Sequence, residues 1–169
     1  QQAAIPTVVT VHCIWSYATP MFMALNAIGR WSKWPVVLSG VSEVAAAPIR
    51  KMARKGSHVV VLPNGIENET WRVEPAERDP SVVTLVSVMR LAPRKRPMHL
   101  LRMVDEVVRR LPSDLQLKMV IIGDGPELSR LEKFVRAHGL NDVVKLVGRR
   151  TREEIRNIFS RSDVFVAPA

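Results

Sequence analysis

At 169 residues, 47% hydrophobic and 24% charged, the chain is long enough for one ordinary domain or for pieces of two, and its composition excludes a disordered protein. Twenty-five Lys and Arg against 16 Asp and Glu leave a net charge of +9, which favours polyanions: nucleotides, nucleic acid or an anionic membrane surface. A single cysteine, Cys13, excludes an internal disulfide and fits a reducing compartment or simple indifference to redox state; no Cys-x-x-Cys or His-x-x-x-His pair offers metal spacing, so no metal is expected.

The chain starts at Gln1 and stops at Ala169 directly after the apolar run VFVAPA, so it reads as the interior of a longer protein. No secretory n-region precedes the first apolar stretch. Residues 1–29 carry no Asp, Glu, Lys or Arg, yet Pro6, His12, Pro20 and Asn26 interrupt them, which argues against a membrane-spanning helix.

In chain order, IPTVVTVH is a β-branched strand ending at His12. The next segment reads as a loop and a helix broken at Pro20. A second strand runs from Val36 to Ser39, and Ser42 stands where it can cap the helix of EVAAAPIRKMARK, inside which Pro48 falls. His58 to Leu62 make a third strand, closed by the turn Pro63-Asn64-Gly65. From Glu67 to Pro80 the texture changes to two prolines and mixed charge without apolar periodicity, the mark of a domain linker. Before it, six Lys or Arg face a single acid, Glu43.

Beyond the linker the pattern alternates strictly. Strands are expected at Val82–Val88, Leu117–Ile122, Val143–Val147 and Val164–Val166, separated by helices at Met98–Leu111, Glu127–His138 and Thr151–Arg161. Continuous apolar strands joined through helices imply right-handed crossovers and a parallel sheet covered on both faces, half of a doubly wound α/β domain. The helices carry their own punctuation: a stripe of Met98, Leu101, Val104, Val108 and Leu111, a stop at Gly139, and a capping box in Thr151-Arg152-Glu153-Glu154.

Three loops then fall on one edge of that sheet: Met89–Pro97, Gly123–Glu127 and Gly148–Thr151. Each follows the carboxyl end of a strand and enters a helix N-terminus, where free N–H groups favour anions. Arg90 and Lys95 flank the first turn, and two cations there suit a diphosphate. A solvated basic loop has the same composition; the coincidence of the three loops favours the ligand.

As a set, PNGI, a strand with MRLAPRK, IIGDGPE, VKLVG and IFSRSDVFVAP resemble the family 4 glycosyltransferases, retaining enzymes of GT-B fold. The resemblance implies a doubly wound Rossmann-like fold in two domains: 1–66 the end of an N-terminal, acceptor-side domain, 67–80 a linker, and 81–169 the first part of a C-terminal nucleotide-sugar-binding domain. It implies transfer of a hexose from a UDP-, GDP- or ADP-linked donor to a glycosyl acceptor with retention of configuration, without metal or other cofactor. Arg90 and Lys95 then match the residues that grip the donor diphosphate, which gains negative charge as the sugar leaves. Gly123 matches a glycine near the donor, and Arg149 and Arg150 fall where the nucleobase is contacted, or are surface arginines. His12 matches an active-site histidine near the transferred sugar; without the resemblance, a lone histidine at a strand end reads as structural.

Met89 and Arg96 stand where the family commonly has glycine. The family's glutamate pair would lie past Ala169 and its N-terminal glycine loop before Gln1, so this stretch by itself is expected to be incomplete for catalysis. A cytoplasmic enzyme is implied. The acid-poor first segment, with Trp31, Trp34 and RKMARK, suits peripheral contact with the inner face of a membrane and a lipid-linked acceptor, or a plain solvated helix face. Two further readings are a nucleotide-sugar epimerase of GT-B fold and a basic nucleic-acid-binding module; sparse aromatics and the lack of a recognition motif argue against nucleic acid.

Overall fold

The computed structural model describes residues 5–12, 19–29, 36–53 and 58–168, and the chain divides into two compact units, 1–67 and 68–169. Cys13, Trp31, Trp34 and the end of the RKMARK run, Arg54 and Lys55, lie outside the described residues.

In the first unit, β1 (Thr7–Val11), β2 (Val36–Gly40) and β3 (Val59–Val61) form a parallel sheet in that order, with Val9, Leu38 and Val59 in one row. Helix α1 (Thr19–Gly29) leads from β1 to β2, and α2 (Glu43–Met52) from β2 to β3. Pro20 starts α1 rather than breaking it, because the first turn of a helix needs no N–H from that position. Ser42 caps α2, its hydroxyl accepting the Ala45 N–H at 3.2 Å. Pro48 lies inside α2 with Ala45, Ala46 and Ile49 on the buried face.

The second unit contains the short α3 (Asn68–Trp71), then β4 (Val82–Val88), α4 (Pro97–Arg110), β5 (Gln116–Ile122), α5 (Leu128–Ala137), β6 (Val144–Gly148), α6 (Arg152–Ser160) and β7 (Val164–Phe165). All four strands are parallel, in the order β6-β5-β4-β7. The chain therefore steps outward from β4 to β6, and α6 brings it back past β4 to β7. Right-handed crossovers put α4 and α5 on one face and α6 on the other. The first face is the core: Leu85, Leu117, Met119, Ile121 and Val144 pack with Leu100, Leu101, Val104, Leu131 and Val135. Met119, Leu101, Val104 and Leu131 are fully buried, each stabilising the fold by about 1.5–3 kcal/mol. The strand order reverses direction at β4, and the crevice beyond such a reversal is where open α/β sheets take ligands.

The stretch with linker composition, 67–80, falls almost wholly with the second unit and runs along α6. Trp71 lies 6.3 Å from Phe159, centroid to centroid, with the Arg152 guanidinium 5.9 Å over its ring. The Arg156 Nη2 donates to the Arg72 carbonyl at 3.2 Å, and Ala76 N–H to the Ser160 carbonyl at 2.8 Å. Arg78 ends the run on Asp163 Oδ1 at 2.7 Å, while the other Asp163 oxygen takes the Thr84 N–H. Apolar periodicity is absent there because cation–π contact and main-chain hydrogen bonds do the holding.

Candidate functional site

The three loops at the carboxyl ends of β4, β5 and β6 are joined by their backbones. Met89 N–H donates to the Ile122 carbonyl at 3.0 Å, Leu91 N–H to the Asp124 carbonyl at 2.9 Å, and Gly123 N–H to the Gly148 carbonyl at 2.8 Å. The Leu91 carbonyl accepts the Glu127 N–H at 3.0 Å, so the first loop is tied into the entrance of α5. Such close approach sets the residue type. A Cβ on Gly123, whose φ is 135°, would lie 1.8 Å from the Met89 carbonyl oxygen, and one on Gly125 would lie 2.4 Å from that of Leu91. Glycine is the residue that lets these carbonyls pass.

On this frame the loop after β4 makes a tight turn. Leu91 is buried, anchoring it between Arg90 and Lys95. A 3-10 turn spans Pro93–Lys95, with Lys95 N–H bonded to the Ala92 carbonyl at 2.9 Å and Arg96 N–H to the Pro93 carbonyl at 3.0 Å. Arg96 takes the left-handed conformation, φ 52° and ψ 39°, and Pro97 opens α4. Arg90, Arg94 and Arg96 are exposed and Lys95 half-buried; none of the four is paired with a carboxylate among the described residues.

The loop after β6 is different. Arg149 Nε lies 3.6 Å from Asp124 Oδ2, and Arg150 Nε lies 3.8 Å from Glu154 while its Nη1 donates to the Arg149 carbonyl at 3.0 Å. Thr151 caps α6 reciprocally: its hydroxyl accepts the Glu154 N–H, and Glu154 Oε2 accepts the Thr151 N–H at 2.7 Å. The Thr151 N–H, then its hydroxyl, and last the Arg150 charge hold the Glu154 carboxyl below its ordinary value.

Arg90, Lys95, Gly123, Arg149 and Arg150 thus fall on one set of connected loops. His12 belongs to the other unit, exposed directly after β1. Two contributors escaped the sequence reading. Asp124 holds Arg149, and an acid inside a glycine turn gives no hint of a partner 25 residues away. Leu91 anchors the basic turn, and its signal was legible: one large apolar residue in an otherwise polar, basic loop. A groove of about 520 Å3 lined by Arg78, Lys118, Lys145 and Asp163 lies elsewhere on the same unit. That groove opens at the amino ends of the strands, opposite the loops. Among the described residues no three His, Cys, Asp or Glu side chains gather as a metal site would require, and no helix is long and apolar enough to cross a membrane.

Crystal structures of known proteins share this fold. Anabaena Alr3699/HepE in complex with UDP superposes with a TM-score of 0.70 at 16% identity, over 96% of this chain and 46% of that one. The pneumococcal O-GlcNAc transferase GtfA in complex with UDP and GlcNAc superposes with a TM-score of 0.62 at 20% identity, over 95% of this chain and 32% of that one. The fold is the α/β, Rossmann-like fold of the GT-B glycosyltransferases. The family model for glycosyl transferases group 1 matches residues 67–169, and the chain belongs to that family. A phosphatidylinositol N-acetylglucosaminyltransferase subunit from Arabidopsis thaliana is 27% identical over 108 residues, which cover 64% of this chain and 24% of the relative. The chain thus spans about a quarter of that relative's length and under half of either crystal structure's.

Proposed function

We propose that the second unit binds the diphosphate of a nucleotide sugar at the loop after β4, and that the whole protein transfers the sugar, a hexose, to an acceptor with retention of configuration, as in family 4. Arg90 and Lys95 clamp the diphosphate. As the bond from sugar carbon to phosphate oxygen breaks, negative charge grows on that oxygen, and cations already in position stabilise it with no metal or other cofactor. Arg149 and Arg150 border the nucleobase, with Gly123 keeping the loops close enough for one ligand to span them. His12, directly after the carboxyl end of β1, is assigned to the transferred sugar on the family resemblance.

One observation carries this reading: Arg90 and Lys95 leave a strand end where the sheet order reverses, on a turn braced by backbone hydrogen bonds, and neither is neutralised by a described carboxylate. Related structures that hold UDP support a uridine donor as the first to try.

A lipid-linked acceptor and peripheral membrane contact accord with α1, where Met21, Met23 and Ile28 are exposed on a helix without a charged residue, and with the phospholipid in the Arabidopsis relative's name. A cytoplasmic location, at the inner face of the membrane, follows from that reading.

Calorimetric titration of the full-length protein with UDP, GDP and ADP in EDTA tests the site. Arg90→Ala is expected to cost about 1.5–3 kcal/mol, roughly 10- to 150-fold in Kd, and Lys95→Ala a similar amount. Binding that disappears in EDTA, or that ignores both substitutions, removes the assignment.

A further inference from the structure

The turn that carries Arg90 and Lys95 also holds a strained residue. Arg96 is the one non-glycine with positive φ among the described residues. A side chain in that conformation brings its Cβ close to the following carbonyl oxygen, and glycine would avoid most of that strain. The backbone is fixed on both sides: Arg96 N–H reaches the Pro93 carbonyl at 3.0 Å, and its own carbonyl accepts the His99 N–H at 3.0 Å and the Leu100 N–H at 3.3 Å. The next residue, Pro97, is buried in the first turn of α4. The Arg96 guanidinium is therefore launched from a rigid point, exposed and without a described partner. Three arginines on the same unit's helices are each held by a carboxylate, Arg109 by Asp105, Arg110 by Glu106 and Arg130 by Glu127. Arg96 combines strain with a free charge, beside the two cations assigned to the diphosphate.

We propose that Arg96 supplies a third cation to the donor site, matched to the charge that appears on the diphosphate as the sugar departs. The inference rests on the diphosphate reading above. In a nucleotide sugar the diphosphate carries two negative charges, which Arg90 and Lys95 balance. During transfer the bond between the sugar carbon and the β-phosphate oxygen breaks and its electron pair stays on that oxygen. The acceptor hydroxyl oxygen bonds to the carbon, and its proton passes to the departing oxygen and then to solvent, since that phosphate ionises near pH 6. The product therefore holds about three negative charges at pH 7. Arg96 meets the third with a planar pair of N–H groups suited to phosphate, an interaction stronger in the transition state than in the bound donor.

The test is calorimetry and thermal melting on the full-length protein, comparing wild type with Arg96→Gly, Arg96→Gln and Arg96→Lys, and with Arg94→Ala as a neighbouring control. Probes are UDP, GDP and ADP, then the glucose conjugate of whichever binds. Arg96→Gly is expected to melt at or above the wild-type temperature yet lose about tenfold in affinity for the free diphosphate and no more than about twofold for the conjugate. Arg96→Gln, which keeps the strained Cβ, shows the same ligand pattern; Arg96→Lys recovers most of the affinity, and Arg94→Ala stays within about twofold of wild type. Unchanged diphosphate affinity in Arg96→Gly and Arg96→Gln overturns the proposal, as does an equal loss for both ligands. Wild type that binds none of the three nucleotides sinks the diphosphate reading and this inference together; binding that needs Arg90 and ignores Arg96 sinks the inference alone.

Discussion

The loops after β4 and β6 stand on the same edge of one sheet, and both are rich in arginine, yet they use their charges in opposite ways. The β4 loop spends its backbone hydrogen bonds on holding its shape and leaves Arg90, Lys95 and Arg96 without described carboxylate partners. The β6 loop gives Arg149 to Asp124 and Arg150 to Glu154. A basic residue is available to a ligand only if no neighbouring carboxylate already faces it. By that criterion the first loop is the anion site, and the second is a border whose cations must be released or shared.

The largest way to break the comparison is to part the loops. Gly123→Ala forces a methyl group into the Met89 carbonyl, so the β4 and β5 loops must separate; a loss of about 2–4 kcal/mol in chemical denaturation is expected, with nucleotide binding lost as well. A stable Gly123→Ala protein with intact binding would mean that the loops are not held by this contact. Next in size is the contrast between cations. Arg149→Ala is expected to cost less than about 1 kcal/mol of nucleotide affinity, well under the effect of Arg90→Ala, because its exposed guanidinium already faces Asp124; equal losses would erase the distinction.

Thr151→Ala removes the hydroxyl that caps α6 and should lower stability by about 1 kcal/mol without altering nucleotide selectivity. Asp124→Asn sharpens the comparison from the other side: freeing Arg149 should tighten nucleotide binding about two- to fivefold at low salt and have no effect at high salt. The smallest effect is in acid. The Glu154 carboxyl is held below its ordinary value in the folded chain, so its contribution is fully present above the unfolded value near pH 4 and is lost as pH falls through the lower folded one. Glu154→Gln should therefore narrow the stability gap between pH 7 and pH 3, read from urea midpoints at the two pH values.

Much of the second unit was legible in order and kind. Strand β4 has the bounds that its apolar run announced, Val82–Val88, and the helices start and stop within a residue or so of their expected ends. Strands rich in apolar residues and amphipathic helices are local patterns, and the right-handed crossover converts their alternation into a parallel sheet with its loops on one edge. What failed was local too: Pro20 looked like a break and is a start, because its meaning depends on which turn of the helix it occupies.

The amino-acid sequence by itself determined the α/β alternation, the core stripe of α4, the caps Ser42 and Thr151, and the basic character of the turn after β4. Each is encoded within a window of a few residues, where spacing and side-chain chemistry act directly. Only the tertiary structure decided that residues 68–80 lie along α6, that Gly123 and Gly125 are glycines because Met89 and Leu91 carbonyls pass over them, and that Asp124 occupies Arg149 while Arg90 and Lys95 have no such partner among the described residues. Those are contacts between residues 25 to 90 positions apart. Hydrogen bonds and ion pairs act only across a few ångströms, so their partners are chosen by how the sheet brings distant loops together rather than by what stands beside them in the chain.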